Sequence, residues 1–266
     1  VALVSILLLG VTSGDAWGHE RTLPVKPLKQ QGQACLPACG AMALSLQDPD
    51  ITVRDVAREV AMYPDGTGFF DLQEALHRRG VESLTWQGDA SQAACLVAYG
   101  FPVIAAVKVG RTKHAVLVYG AKWARGGKPC GMAPESLQVI DPRSGRSQTL
   151  TAEALDRWLF ARQLMLIAPR GRVDLQAAES SGFPGDAVRS ANRGFRAEAL
   201  VRRAAAHKEP NEQAVTLLRR ALAEDPCSNR AREALKQVLR HLRKEMESAL
   251  PPCPPSQGAG DRGEKR

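Results

Sequence analysis

The stretch Gln33-Ala-Cys35-Leu-Pro-Ala-Cys39-Gly40-Ala-Met-Ala-Leu44 places a cysteine at the start of an apolar run of helical character. Residues 38–46 favour a helix, and Gln47-Asp-Pro-Asp50 end it. Cys39 is therefore expected at the helix head. The partial positive charge there stabilises a thiolate by up to about 2 kcal/mol in a partly buried setting. Gly40 beside it permits close approach to the backbone. Gln33, six residues before Cys39, can aim its side-chain amide at a developing oxyanion, a donor worth about 3 kcal/mol where such groups have been removed. Cys35 is the weaker candidate nucleophile, since no glycine follows it and Lys29 stands six residues before it.

Two later segments suit this stretch. His114 opens the apolar segment Ala115-Val-Leu-Val118, and Asp141 closes Gln138-Val-Ile-Asp141 just before Pro142. The continuous apolar run predicts a central strand, and Asp141 ends the next one. Adjacent strands can bring the two side chains within hydrogen-bond reach, so that the carboxylate fixes the imidazole tautomer. Taken singly, each residue has a plainer explanation: a buried thiol, a strand-end histidine, an Asp-Pro turn. The order Gln33, Cys39, His114, Asp141 is what points to nucleophilic catalysis, with Cys39 as nucleophile, His114 as base and Asp141 as its orienter.

Composition sets the frame. The chain has 266 residues, 44% of them hydrophobic, enough for one substantial core and a smaller second unit. Aromatics are 5%, so Leu, Val and Ala must build that core. The net charge of +8 comes largely from Arg interleaved with Glu on a helical C-terminal half, which reads as a solvated face. No basic stripe with stacking aromatics appears, so no nucleic-acid partner is expected. Six cysteines are too sparse for a disulfide scaffold, and no C-x-x-C pair suggests a zinc site. Bridges Cys35–Cys95 and Cys35–Cys130 are both compatible with the spacing. Neither a metal nor a cofactor is expected.

Residues 1–18 carry an apolar run and a small-residue ending, Ala16-Trp-Gly18, which read as a secretory signal peptide too short to span a membrane. The chain is thus expected to be exported, periplasmic or extracellular, with no stable membrane anchor after cleavage. Residues 19–28 form an extended lead-in, interrupted by Pro24 and Pro27. From 29 to 168 the pattern runs from helices (38–46, 53–61, 70–79, 91–99) to strands (102–108, 113–119, 137–140, 147–150, 163–167), with a short strand at 81–86 and a helix at 152–161. That order predicts an α+β domain, a helical layer on an antiparallel sheet. Residues 169–192, rich in Gly, Ser and Pro, read as a linker. Residues 193–249 read as a small all-α segment broken near Pro210 and Pro226, and 250–266 as a disordered tail.

The blocks just quoted resemble the papain-like cysteine peptidases. More narrowly they resemble the bacteriocin-processing, double-glycine peptidase family and its stand-alone relatives. The resemblance runs from Leu28 to Pro169. It rests on Gln33 with Cys39-Gly40, Gly66-Thr-Gly68 before a Leu-containing helix, Gly100-Phe-Pro102-Val-Ile, His114-Ala-Val-Leu-Val-Tyr-Gly120, Val139-Ile-Asp141-Pro142 and Trp158. It implies a papain-like fold and a thiol peptidase acting on a peptide or protein substrate. Family members often have Asp before the cysteine and Pro after the glycine, where this chain has Ala38 and Ala41. Ala214-x3-Leu218-x2-Ala221-x4-Pro226 resembles the second helix of a tetratricopeptide repeat, which implies a helical module for a protein partner. Two other functions fit the same residues: a catalytically silent peptide-binding scaffold, and a thiol acyltransferase.

Overall fold

The computed structural model describes residues 19–64, 66–169, 174–207 and 210–242. The proposed signal peptide and C-terminal tail lie outside the described residues. In order, the chain forms β1 (Glu20–Thr22), α1 (Cys35–Leu44), α2 (Val53–Ala57), α3 (Phe69–Arg78), β2 (Ser83–Gln87), α4 (Ala90–Ala98), β3 (Val103–Val109), β4 (Thr112–Lys122), β5 (Ser136–Asp141), β6 (Arg146–Leu150), α5 (Ala152–Trp158), β7 (Leu159–Ile167), α6 (Gln176–Ser180), α7 (Gly185–Ala205), α8 (Glu212–Glu224) and α9 (Asn229–His241). The sheet is antiparallel, in the order β2-β7-β3-β4-β5-β6, with β1 added to β4. Helices packed on an antiparallel sheet make this an α+β fold.

The core is built around α1. Every residue of α1 except Cys35 is buried, and the helix packs on β4, β3, α2 and α3. Met42, Leu44, Leu72 and Leu117 are among the largest wholly buried side chains of this core, each contributing roughly 1.5–3 kcal/mol. Gly40 has a packing role: a Cβ there would lie 2.9 Å from Leu72 Cδ1, so its absence lets α1 and α3 close on each other. Thr52 caps α2 in a reciprocal capping box with Asp55.

Three expectations need correction. First, α1 begins at Cys35, three residues earlier than the pattern suggests, because Pro37 falls in the first helical turn, where its missing N–H has no acceptor to lose. Second, a disulfide joins Cys95 on α4 to Cys130 in the excursion between β4 and β5, and Cys35 is free. Closing a loop of 35 residues contributes about 3–4 kcal/mol. Third, the stretch 169–192 carries α6 and the first part of α7, with Ala178, Phe183 and Val188 buried in the main core.

The C-terminal helices lie against the domain. Asn192, inside α7, accepts from the backbone N–H of Thr85 at 2.8 Å and from Gln73 Nε2 at 2.9 Å. It thereby caps part of the free edge of β2. Farther along α7, Arg196 bonds Glu74 at 3.0 Å and Glu224 at 2.8 Å, Arg203 pairs with Asp71, and both guanidinium groups stack over Phe70. A second core of Leu200, Leu218, Ala221, Leu235 and their neighbours joins α7, α8 and α9.

Asn192→Ala leaves the buried N–H of Thr85 and one amide hydrogen of Gln73 unpaired and should cost about 2–3 kcal/mol in urea unfolding; an unchanged midpoint contradicts the docking described. Cys39 generates a pH prediction. Burial, reinforced by the charges of Cys35 and Asp141, holds its thiol well above the ordinary range. In the unfolded chain that thiol ionises near pH ~8.5, so above that pH the unfolded state binds fewer protons than the native state. Stability must then fall as pH rises. Cys39→Ala should flatten part of that decline, read from unfolding free energies between neutral and alkaline pH; an identical slope contradicts the burial.

Candidate active site

The site lies where the head of α1 meets the start of β4. Cys35 is the first residue of α1, the only one of that helix not buried, and the neighbour of an N-cap, Ala34, that has no side-chain acceptor. The first N–H groups of the helix have no intrahelical partner and no capping side chain, so they are available to the Cys35 sulfur. Burial raises the Cys35 thiol above its ordinary range. The backbone N–H groups of Ala115, Leu36 and Cys35 itself, with the charge of Arg143, pull the other way. The resting group is a thiol, in a setting already arranged to receive its anion.

His114, beside Ala115 on β4, is buried. Its Nε2 lies 2.8 Å from Asp141 Oδ1 on the neighbouring strand β5. An ionised carboxylate only accepts, so Nε2 carries the proton and Nδ1 of the neutral ring is left as an acceptor. Asp141 is itself held by the turn after β5. Its Oδ1 accepts from the N–H of Arg143 at 2.8 Å, and its carbonyl accepts from Gly145 N at 2.8 Å. The lead-in strap is tied to the same corner by Gln30 N–H donating to Pro142 O at 2.7 Å.

The structure thus brings His114 and Asp141 together and places Cys35, not Cys39, in a shared groove with His114. Cys39 is one turn deeper in α1 and 0% exposed. A helix head at Cys39 is ruled out by the four α1 residues that precede it. Gln33 is exposed, whereas Gln30 has its Oε1 buried without a partner and its Nε2 donating to Gly32 O at 2.6 Å. The sequence signal for Cys35 was Pro37, since Cys-Leu-Pro-Ala is a fitting first helical turn.

The groove has a volume of about 1030 Å³. From Cys35 and His114 it extends along the Gly66–Asp71 segment, across the ends of β7 and β2, to the exposed face of α7. Ala161 and Arg162, inside β7, have φ of 52° each, a left-handed backbone uncommon outside glycine, and Ala161 lies on the groove wall. Among the described residues no cluster of His, Cys, Asp and Glu could hold a metal ion. The chemistry the arrangement can perform is attack by a thiolate, with proton transfer through His114.

No protein-family model and no curated protein matches the chain. Among solved structures it is similar to the peptidase domain of Streptococcus ComA, a bifunctional ABC transporter involved in a quorum-sensing pathway. The TM-score is 0.44 at 18% identity, over 55% of this chain and 98% of that one. It is similar also to a double-glycine-motif protease from an AMS/PCAT transporter in complex with the leader peptide, with a TM-score of 0.43 at 18% identity, over 55% of this chain and 93% of that one. The peptidase domain of Streptococcus mutans ComA gives a TM-score of 0.38 at 17% identity, over 54% of this chain and 99% of that one.

Proposed function

We propose that the chain is a cysteine peptidase whose nucleophile is Cys35, with His114 as general base and acid and Asp141 as the group that orients His114. The observation that carries this reading is that Cys35 alone of α1 escapes burial, beside the Ala115 N–H and in one groove with the His114–Asp141 pair.

The steps follow from the protonation states. The Cys35 thiol gives its proton to His114 Nδ1 as the sulfur attacks the peptide carbonyl carbon. The resulting oxyanion takes the Cys35 N–H and Gln30 Nε2, the latter exchanging its bond to Gly32 for the charged acceptor. Collapse of the tetrahedral species breaks the C–N bond, and the proton on His114 leaves with the amine. His114 then takes a proton from water, which attacks the thioester, and the acid departs as the thiol is restored. The imidazolium that forms in both halves is stabilised by Asp141.

The substrate in this reading is a peptide or protein lying in the groove. Export is part of the same proposal, supported by the apolar N-terminal run and by a disulfide, a bond that persists in oxidising compartments.

Cys35→Ala should abolish hydrolysis of a casein-type protein substrate, whereas Cys39→Ala keeps it. Loss of activity in Cys39→Ala with a folded protein, or its survival in Cys35→Ala, overturns the assignment. Gln30→Ala should lower kcat about 10²-fold, as removal of one oxyanion donor does. Gln33→Ala should leave kcat unchanged, and the reverse pattern returns the role to Gln33. Asp141→Asn should lower kcat on the order of 10²–10⁴-fold with little change in KM; a KM effect alone contradicts an orienting role.

A further inference from the structure

The part of the groove remote from Cys35 is walled by α7, a helix outside the sheet domain. Ala187, Ala191, Phe195 and Ala199 follow one another at four-residue spacing on the α7 face that lines the groove, and the row ends in Arg202 and Arg203. The opposite wall includes Thr85 and Gln87 of β2. Thr85 is 1% exposed, lines the groove, and its Oγ1 has no hydrogen-bond partner. A buried hydroxyl in that state costs free energy until something bonds it.

The edge of β2 adds a second set of open groups. β2 pairs with β7 on one side only. Gly88 N–H bonds Arg162 O on the β7 side, and Thr85 N–H bonds Asn192 on the other, so hydrogen-bonding directions alternate along the strand. By that alternation the N–H and C=O of Gln87 face away from β7, and among the described residues nothing bonds them. The open N–H and C=O of Gln87, next to an unpartnered hydroxyl, are suited to pairing with an extended backbone.

Charge narrows the occupant. The charged side chains on the groove wall, His114 aside, are Lys113, Arg202, Arg203 and Asp71. Arg203 is engaged with Asp71. Lys113 and Arg202 remain in excess, Lys113 over the Phe160 ring and Arg202 only loosely paired with Glu198 at 3.4 Å on its own helix.

We propose that α7 is part of the substrate site, and that the groove takes an extended, acidic peptide segment between the edge of β2 and the small-residue face of α7, read by Arg202 and Lys113. This rests on the peptidase reading and names its substrate class: peptides with Asp or Glu along the segment that the groove holds. The C-terminal helices thereby serve specificity as well as stability.

The test uses the full chain carrying Cys35→Ala and two fluorescein-labelled pools of short peptides, one with Glu and one with Lys fixed at alternate positions among mixed apolar residues. Fluorescence anisotropy should show binding of the Glu pool and not of the Lys pool. Arg202→Glu should weaken the Glu pool about tenfold, the loss of one charge-assisted contact. Ala191→Trp, which fills the groove from an exposed position of α7, should weaken it at least as much. Arg125→Glu, the same charge change on an exposed loop outside the groove, should leave it unaltered. No binding of the Glu pool, equal binding of both pools, or indifference to Arg202→Glu and Ala191→Trp overturns the proposal. Hydrolysis of the same pools by the unsubstituted chain is scored separately. Glu peptides that bind and are not cut leave the α7 site standing and sink the peptidase reading; peptides cut without preference for Glu do the reverse.

Discussion

The packing of α1 against β4 is the constraint on which the rest depends. Of the ten residues of α1 only Cys35 and Leu36 line the cleft, and Cys35 alone of the helix is not buried. β4 supplies the other half of the arrangement. It presents the Ala115 N–H to the sulfur and places His114 next to it, at the point where β5 delivers Asp141. Neither partner lies on a loose loop. Their separation is set by a core whose members are held by dense packing, and such a core tolerates little shift. The site geometry is therefore a consequence of how Leu117, Ile140, Met42 and Leu72 fit together.

A second constraint joins the sheet domain to the C-terminal helices. Asn192 satisfies a strand edge that would otherwise be open, and Phe70 is held between two guanidinium groups that also reach Asp71 and Glu74. Burial works against ionisation of Glu74, but the bond from Arg220 and the charge of Arg196 outweigh it, so its carboxyl stays below the usual range. A helical unit as small as α7–α9 buries too little surface to be robust by itself. Docking gives it a base, and the same docking turns one helix into a wall of the groove.

Much of this was legible in the sequence. The strands showed as β-rich runs between glycine turns, and the α+β order followed. His114 and Asp141 were found because one opens a strand and the other closes its neighbour, a relation that pairing makes three-dimensional. Cys35 ranks below Cys39 in the sequence because no glycine follows it and Lys29 stands six residues before it, and two local facts weaken that ranking. Pro37, which a helix read from residue 38 leaves out, is a first-turn residue of α1. Gly40 looked like an opening for a ligand and is a notch for Leu72. With the helix head expected at Cys39, Gln33 is the glutamine in reach; with α1 starting at Cys35, the nucleophile we propose, the candidate becomes Gln30. The supposed linker failed differently. Gly185, Ser190, Asn192 and Gly194 are poor helix formers, but the burial of Val188 and the bonds of Asn192 to β2 outweigh propensity, and no local pattern reveals a partner 107 residues away.

The central claim is the identity of the nucleophile. It is tested most directly by treating the folded chain with a peptide vinyl sulfone, which forms a stable thioether with an attacking thiolate, and locating the added mass by tandem mass spectrometry. The account predicts a single addition on Cys35 that disappears when His114 is replaced by Ala, with Cys39 unmodified until the protein is unfolded. Addition to Cys39 in the native protein, or to neither thiol, would contradict it.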